Sequence, residues 1–144
     1  MSQGTMLEGK VVVVTGAGGG IGRDIALQCA AQGAKVVVND IGASVSGEGG
    51  DTGPAQKVVA EIQAAGGQAA ANTDSVAEVA AAGRIIQCAL DSFGRIDAVV
   101  NNAGILRDRF FHKMSVDEFD AVIKVHLYGA YYVSRAAANH FKEQ

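Results

Sequence analysis

Short apolar runs alternate with amphipathic stretches along this chain of 144 residues. The first run is four consecutive valines at residues 11–14, and three later runs of mainly apolar or small residues lie near residues 35–39, 68–73 and 98–101. Such runs are typical of strands that are buried on both faces of a parallel sheet. Between them, apolar residues recur at three- and four-residue spacing, which indicates helices with one buried face. The chain is therefore predicted to repeat a strand–helix unit.

Glycines mark the predicted ends of the first three helices. Gly33, Gly66 and Gly94 each follow an amphipathic stretch and suit a left-handed C-cap. The second helix is expected to begin near Pro54, because proline is favourable in a first helical turn. The residues predicted to face inward are, helix by helix, Ile21, Ile25, Ala26, Cys29 and Ala30, then Val58, Val59, Ile62 and Ala65, and then Val79, Ala82, Ile86, Ala89, Leu90 and Phe93.

The order of these elements predicts the fold. Right-handed crossovers turn such a series into an α/β fold with a doubly wound parallel sheet of the Rossmann type, with strand order 3-2-1-4. A last helical stretch is predicted from the N-cap Ser115 toward Lys142. In this architecture ligands bind outside the carboxyl ends of the strands, at the switch point flanked by strands one and four, where the strand order reverses.

The junction of the first strand and the first helix predicts a phosphate site. Residues 11–22 read VVVVTGAGGGIG, so a buried strand runs into a glycine-rich turn that opens a helix. Gly16, Gly20 and Gly22 allow a tight turn and a close approach to a pyrophosphate, and a helix N-terminus favours an anion. A flexible surface loop is the alternative, but it does not explain the flanking strand and helix. The spacing is Thr-Gly-x-x-x-Gly-x-Gly and differs from the pattern Gly-x-Gly-x-x-Gly.

Asp40 closes the second predicted strand and follows Gly22 by 18 residues. An acidic residue at about this spacing meets the adenosine ribose of a dinucleotide. Its carboxylate accepts hydrogen bonds from both ribose hydroxyls and repels a 2′-phosphate, which favours NAD over NADP. In the alternative interpretation, Asp40 caps the turn into Gly42.

Composition excludes several classes of protein. The formal net charge is −3, with 49% hydrophobic and 19% charged residues, so a nucleic-acid partner is not expected. Residues 1–144 are predicted to form one domain, and neither a signal peptide nor a membrane span is apparent, which indicates the cytoplasm or an organelle matrix. Cys29 and Cys88 are predicted to be buried free thiols. No metal site is predicted, because His126 and His140 would lie about 21 Å apart on one helix.

A second motif, Asn-Asn-Ala-Gly at residues 101–104, follows the fourth predicted strand. With the Thr-Gly-x-x-x-Gly-x-Gly turn it resembles the short-chain dehydrogenase/reductase family, and the resemblance extends over essentially the whole chain. It implies that the chain binds NAD. The implied cofactor-binding residues are Thr15, Gly16, Gly20, Ile21, Gly22, Asp40, Asp74, Ser75, Asn101, Asn102, Ala103 and Gly104.

The resemblance implies separate roles for these residues. Asp74 is expected to contact the adenine with help from Ser75, and either residue could also cap the third helix, an interpretation that does not exclude the first. The two asparagines are expected to brace the strand end, while Ala103 and Gly104 leave space for the ribose and the nicotinamide. His126 occupies the position at which most of the family carries an asparagine that holds a proton-relay water, and a helix-surface histidine is the alternative.

A narrower likeness concerns residues 37–42, 101–110 and 125–129. These are similar to the (3R)-hydroxyacyl-CoA dehydrogenase part of peroxisomal multifunctional enzyme type 2 and its bacterial relatives. The likeness implies oxidation of a secondary alcohol, such as a 3-hydroxyacyl-CoA, by hydride transfer to NAD. It also implies a small-molecule substrate, a homo-oligomer and, in a eukaryote, a peroxisomal matrix location.

Two polar segments carry alternative interpretations. Arg107, Asp108 and Arg109 either line the substrate mouth, where the arginines would meet CoA phosphates, or belong to a solvated loop anchored by Phe110 and Phe111. The glycine-rich segment 41–53 is expected to be a mobile solvated loop, with a substrate-side or interface role as the alternative.

The family's catalytic serine, tyrosine and lysine follow strand five, and residues 1–144 do not contain that set. Tyr128, Tyr131 and Tyr132 are followed four residues later by tyrosine, arginine and alanine, so no Tyr-x-x-x-Lys is present. The chain thus resembles the first half of a dehydrogenase, truncated before strand five and leaving an open edge on strand four. The 144 residues alone are predicted to be inactive, and a non-catalytic nucleotide-binding or assembly module is the alternative.

Overall fold

Four parallel strands form one sheet in the order β3-β2-β1-β4. The computed structural model describes residues 4–42 and 53–144. Its strands and first three helices are β1 (Val11–Thr15), α1 (Gly20–Ala31), β2 (Lys35–Asn39), α2 (Gly53–Ala64), β3 (Gln68–Asn72), α3 (Val79–Phe93) and β4 (Ala98–Val100). A 3-10 turn (Phe111–Lys113), α4 (Val116–Ile123), a π-helical turn (Lys124–Tyr128) and α5 (Gly129–Glu143) follow. The predicted fold class and strand order are confirmed.

The sheet is held together by valine strands in its centre. Val13 pairs with Val37 of β2 on one side and with Val99 of β4 on the other. The valines of β1 are at most 3% exposed, because helices cover both faces of the sheet. Branched side chains pack well on such a surface, which explains why the chain uses a nearly continuous valine run here.

Successive side chains of β1 enter two different cores. Val11 and Val13 pack with Ile85 of α3 and Val133 of α5, whereas Val12 and Val14 pack with the residues of α1 and α2. This division follows from the two-residue period of a strand. Because all four strands are parallel, the loops that follow them begin at the same, carboxyl edge of the sheet.

The predicted helix boundaries are mostly confirmed. Gly33, Gly66 and Gly94 have φ angles of 95°, 87° and 78°, as left-handed C-caps require. Ser115 caps α4 in a reciprocal capping box with Glu118. The last helical stretch runs from α4 to the end of α5, but the π-helical turn between them inserts an irregularity that the apolar periodicity does not predict.

Three residues predicted to face inward are exposed instead. Ile21 and Val79 are 75% and 68% exposed, and Ala65 is also exposed. Ile21 and Val79 lie in the first turns of α1 and α3, and Ala65 follows the last residue of α2, so none lies where its helix contacts the sheet. Cys29 and Cys88 are free and half-buried rather than buried, and desolvation raises the pKa of both thiols.

The predicted mobile loop at 41–53 lies largely outside the described residues, because only residues 41, 42 and 53 of it are described. Within the described ranges, no helix has the length and apolar character needed to span a bilayer. β4 forms one edge of the sheet, as the sequence predicts.

Candidate functional site

A cleft of about 510 Å³ lies at the carboxyl edge of the sheet. Eight of the predicted site residues line it, namely Gly16, Gly20, Asp40, Asp74, Ser75, Asn102, Ala103 and Gly104. Residues that the sequence analysis did not single out for this site also line it, among them Gly18, Gly19, Asn39, Pro54, Val76, Ile105 and Val125. Thr15, Ile21, Gly22, Asn101 and His126 are not part of the lining.

The glycines of the turn differ in what they do. A Cβ on Gly16 would lie 2.8 Å from the Cα of Ala103, and one on Gly22 would lie 2.3 Å from the carbonyl oxygen of Gly16. These two glycines therefore permit backbone packing within the protein. Gly19 and Gly20 have open space where a Cβ would be, and no side chain caps the N-terminus of α1 at Gly19. That helix start is consequently the part of the turn available to an anion.

Thr15 and Asn102 join the glycine turn to the loop after β4. The Thr15 hydroxyl accepts hydrogen bonds from the backbone N–H groups of Asn102 (3.2 Å) and Ala103 (3.1 Å) and donates one to the carbonyl of Val100 (3.3 Å). The Asn102 amide donates to the carbonyls of Thr15 and Gly16, each at 3.1 Å. Since Thr15 is 1% exposed, its place is beneath the cleft. The side chain of Asn101 instead donates to the hydroxyl of Ser134 on α5.

Both oxygens of Asp40 accept backbone hydrogen bonds. Oδ2 accepts from the N–H of Gly18 at 2.9 Å, and Oδ1 accepts from the N–H of Gly42 at 2.7 Å. The second bond is the turn-capping interaction of the alternative interpretation. The first bond ties the carboxylate to the glycine turn, so Asp40 lines the cleft while it also caps its own turn.

A polar network at the ends of β2 and β3 fixes Asp74. Asn39, which is 2% exposed, donates to Asn72 Oδ1 and to the carbonyl of Asp74. Asn72 then donates to Asp74 Oδ2, and Arg84 of α3 donates to Asp74 Oδ1 at 2.7 Å. The sequence pattern does not predict that Asn39, Asn72 and Arg84 belong to this site. The available signal was that an asparagine ends each of two neighbouring strands.

The prediction that Asp74 or Ser75 caps the third helix is wrong. α3 begins at Val79 with Glu78 as its N-cap, and no side chain caps it. The hydroxyl of Ser75 accepts from the N–H of Ala77 at 3.1 Å, which stabilises a turn before the helix. Asp74 and Ser75 thus remain at the cleft, where both belong to the lining.

His126 contacts the backbone of the loop after β4. It lies in the π-helical turn, and its Nε2 is 2.9 Å from the carbonyl oxygen and 3.1 Å from the backbone nitrogen of Ile105. Nε2 either donates to the carbonyl or accepts from the N–H, so the tautomer of the ring selects the bond. The ring also occupies the space beside Gly104, where a Cβ would lie 2.5 Å from Cε1.

The charged segment at residues 107–109 contacts α4 through Arg109. Arg109 donates to Glu118 from both Nε and Nη2, at 2.8 and 2.7 Å. The backbone N–H of Ser115 and the Arg109 guanidinium lower the pKa of Glu118. Phe110 and Phe111 are 75% and 90% exposed, so the interpretation in which these aromatics anchor a loop is wrong. No cluster of three or more potential metal ligands occurs in the described part of the chain.

Comparisons with known proteins bear on this arrangement. A family model described as short chain dehydrogenase matches residues 10–144. The chain is 57% identical over 138 residues to a short-chain type dehydrogenase/reductase of Mycobacterium tuberculosis, and the match covers 96% of this chain. It is 51% identical over 144 residues to mouse peroxisomal multifunctional enzyme type 2, with all of this chain covered.

A solved structure is similar to this chain in both sequence and fold. A short chain dehydrogenase from Mycobacterium avium superimposes with a TM-score of 0.87 at 52% identity, over 95% of this chain. The chain spans 48% of the M. tuberculosis protein, 49% of the M. avium chain and 19% of the mouse enzyme. It therefore spans about half or less of the relatives that it matches.

Proposed function

The chain belongs to the short-chain dehydrogenase family, and from this premise we propose that it supplies the NAD-binding part of a dehydrogenase. The reaction proposed is oxidation of a secondary alcohol, such as a 3-hydroxyacyl-CoA. Residues 1–144 would form one nucleotide-binding unit, located in the cytoplasm or, in a eukaryote, in the peroxisomal matrix.

The proposal rests mainly on the hydrogen bonds that connect the glycine turn with the loop after β4. The hydrogen bonds of Thr15 and Asn102 hold these two loops together. The cleft above them has an uncapped helix start at one wall and the Asp40 carboxylate at another. An anionic diphosphate flanked by a ribose with two hydroxyls matches that combination of groups.

Each part of the dinucleotide has a proposed set of partners. The start of α1, with Gly20 and Ile21, would hold the diphosphate, and Asp40 would accept hydrogen bonds from the adenosine ribose. Asp74 and Ser75 lie in the cleft lining at the expected adenine end, and Ala103 and Gly104 line it at the expected nicotinamide end. A bound NAD would supply the acceptor for the hydride that leaves the alcohol carbon.

NAD rather than NADP is proposed because of Asp40. Its two oxygens accept backbone N–H groups, and no cation pairs with it among the described residues. An anionic 2′-phosphate would therefore meet an uncompensated carboxylate at this position.

The substrate class rests on the likeness to the (3R)-hydroxyacyl-CoA dehydrogenase part of peroxisomal multifunctional enzyme type 2. The arginines offer weaker support, since Arg109 is paired with Glu118 and is not free for a CoA phosphate. A homo-oligomer is also proposed, because apolar side chains such as Phe119 and Leu127 are 58% and 60% exposed on the last helical stretch.

A second candidate is a non-catalytic nucleotide-binding or assembly module, which the lack of a Tyr-x-x-x-Lys favours. The coding sequence beyond Gln144 and the activity of its whole product distinguish the two. Under the dehydrogenase proposal, the reading frame continues into a serine and a Tyr-x-x-x-Lys, and the product reduces NAD⁺ in the presence of a 3-hydroxyacyl-CoA. A stop codon directly after Gln144, with NAD⁺ binding and no turnover, favours the second candidate.

A further inference from the structure

Gly18 is enclosed between Asp40 and the first turn of α2, although nothing in its backbone conformation requires glycine. Its φ is not among the positive angles, so an L-residue could adopt its conformation. A Cβ on Gly18 would nevertheless lie 2.7 Å from Pro54 Cβ, 2.8 Å from Asp40 Cγ and 2.9 Å from Asp40 Oδ2. Only the lack of a side chain allows the turn to approach the carboxylate so closely.

Two consecutive N–H groups of the turn dock on the end of β2. The N–H of Ala17 donates to the carbonyl of Asn39 at 2.9 Å, and the N–H of Gly18 donates to Asp40 Oδ2 at 2.9 Å. Ala17 is fully buried, which keeps the first of these bonds away from water. The carboxylate is therefore held against a backbone segment that is itself fixed to the sheet.

Among the residues that the structure describes, the partners of the carboxylate use about half of its capacity to accept hydrogen bonds. An ionised carboxylate offers about four lone-pair sites, and the N–H groups of Gly18 and Gly42 occupy two of them. The other two match the two hydroxyls of a ribose. A carboxylate held from both sides also cannot easily swing away from a 2′-phosphate, so its repulsion of that group is retained.

We propose that Gly18 is a positioning residue for cofactor selectivity, which acts by holding the Asp40 carboxylate in the orientation that accepts a ribose and rejects a 2′-phosphate. The inference rests on the proposed function, because it presupposes that this cleft binds NAD. A methyl group at residue 18 would collide with both the Asp40 carboxylate and Pro54. The carboxylate would move aside, because it is a side-chain terminus, whereas Pro54 belongs to a helix.

The test compares dissociation constants for NAD⁺ and NADP⁺ in the wild-type chain, Gly18→Ala, Asp40→Ala and the double variant. Gly18→Ala is expected to lower the preference for NAD⁺ about tenfold, mainly through weaker NAD⁺ binding. In the Asp40→Ala background the same substitution should change the ratio of the two constants less than about twofold. Gly83→Ala on α3 is the matched control, because nothing lies within 4 Å of its Cβ and Gly83 does not line the cleft.

Asp40→Glu provides a second and independent variant, since it keeps the charge but moves the carboxylate. It should lower the preference for NAD⁺ over NADP⁺, as is expected of Gly18→Ala. It also tests the orientation of the carboxylate if Gly18→Ala does not fold. A wild-type ratio in either variant, or an equal effect of Gly18→Ala with and without Asp40, overturns the inference alone. A wild-type chain that binds NADP⁺ as tightly as NAD⁺ overturns the proposed cofactor and this inference together.

Discussion

The buried hydroxyl of Thr15 accepts hydrogen bonds from the backbone N–H groups of Asn102 and Ala103, and the side-chain amide of Asn102 donates one to the carbonyl of Thr15. The hydroxyl also donates to Val100, so its one donor and both acceptor sites are used. Because Thr15 ends β1 and Asn102 follows β4, this pair couples the two strands that flank the cleft.

Thr15→Val is expected to destabilise the chain by about 1–3 kcal/mol, because it leaves two N–H groups near a buried methyl group without their acceptor. Urea unfolding followed by circular dichroism measures this change. Thr15→Ser keeps the hydroxyl and should lose much less. An unchanged free energy of unfolding in Thr15→Val would show that the hydroxyl does not hold the two loops together.

Gly104 and His126 are expected to act as a pair. A Cβ on Gly104 would lie 2.5 Å from the His126 ring, so Gly104→Ala should push the imidazole away from Ile105. We expect Gly104→Ala and His126→Ala each to weaken NAD⁺ binding several-fold, measured by calorimetric titration.

The double variant should bind NAD⁺ no more weakly than the single variants, because each one removes the same contact. Full additivity of the two losses would contradict a shared effect. His126→Asn serves as the conservative comparison and should retain more binding than His126→Ala, since its amide can still hydrogen-bond to a nearby backbone group.

Asp97 makes stability depend on pH at the end of the sheet opposite the cleft. The Arg95 guanidinium, the N–H of Val11 and the nearby Lys10 hold its pKa below the ordinary value. The pKa in the unfolded chain is about 3.9. A depressed pKa in the folded state contributes stability that is fully present above this value and is lost as the pH falls through the folded-state pKa.

Asp97→Asn should therefore lower the free energy of unfolding at pH 7 and flatten its fall in the acid range below about pH 4. Thermal unfolding of both chains between about pH 3 and pH 7 measures this pH dependence. The range extends from about one unit below to about three units above the ordinary carboxyl pKa. NAD⁺ binding at pH 7 should be unchanged. A parallel pH profile for both chains would show that Asp97 is not the titrating group.

The 144-residue chain is expected to bind NAD⁺ without reducing it to NADH. No tyrosine in the sequence has a lysine four residues later, so the group that takes the alcohol proton in this family is missing. The check is absorbance at 340 nm, the wavelength at which NADH absorbs, with NAD⁺ and a 3-hydroxyacyl-CoA. Production of NADH by a chain of verified mass would contradict the prediction.

The sequence predicts the strand order and many of the residues that line the cleft, because both depend on local patterns. The valine run of β1, the glycine C-caps and the spacing of Thr15 to Gly22 are each visible within a few residues. Asp40 is found in the same way, since it ends a strand at a fixed distance from the turn.

Other features depend on pairings that a single segment does not reveal. The network of Asn39, Asn72 and Arg84 joins three elements that meet only in the folded chain. The π-helical turn that brings His126 to Ile105 breaks the helical period locally. Ile21 is exposed because it lies in the first turn of α1. Gly18 is equally hidden in the sequence, since its role lies in what would collide with a side chain.

Titration of the wild-type chain and of Asp40→Ala with NAD⁺ and NADP⁺ tests the central claim most directly. The account predicts saturable binding of NAD⁺ by the wild-type chain and a preference over NADP⁺ of at least about tenfold, or about 1.4 kcal/mol. Asp40→Ala should lose NAD⁺ affinity far more than NADP⁺ affinity. Equal losses for both nucleotides, or no binding of either one by a folded wild-type chain, would contradict it.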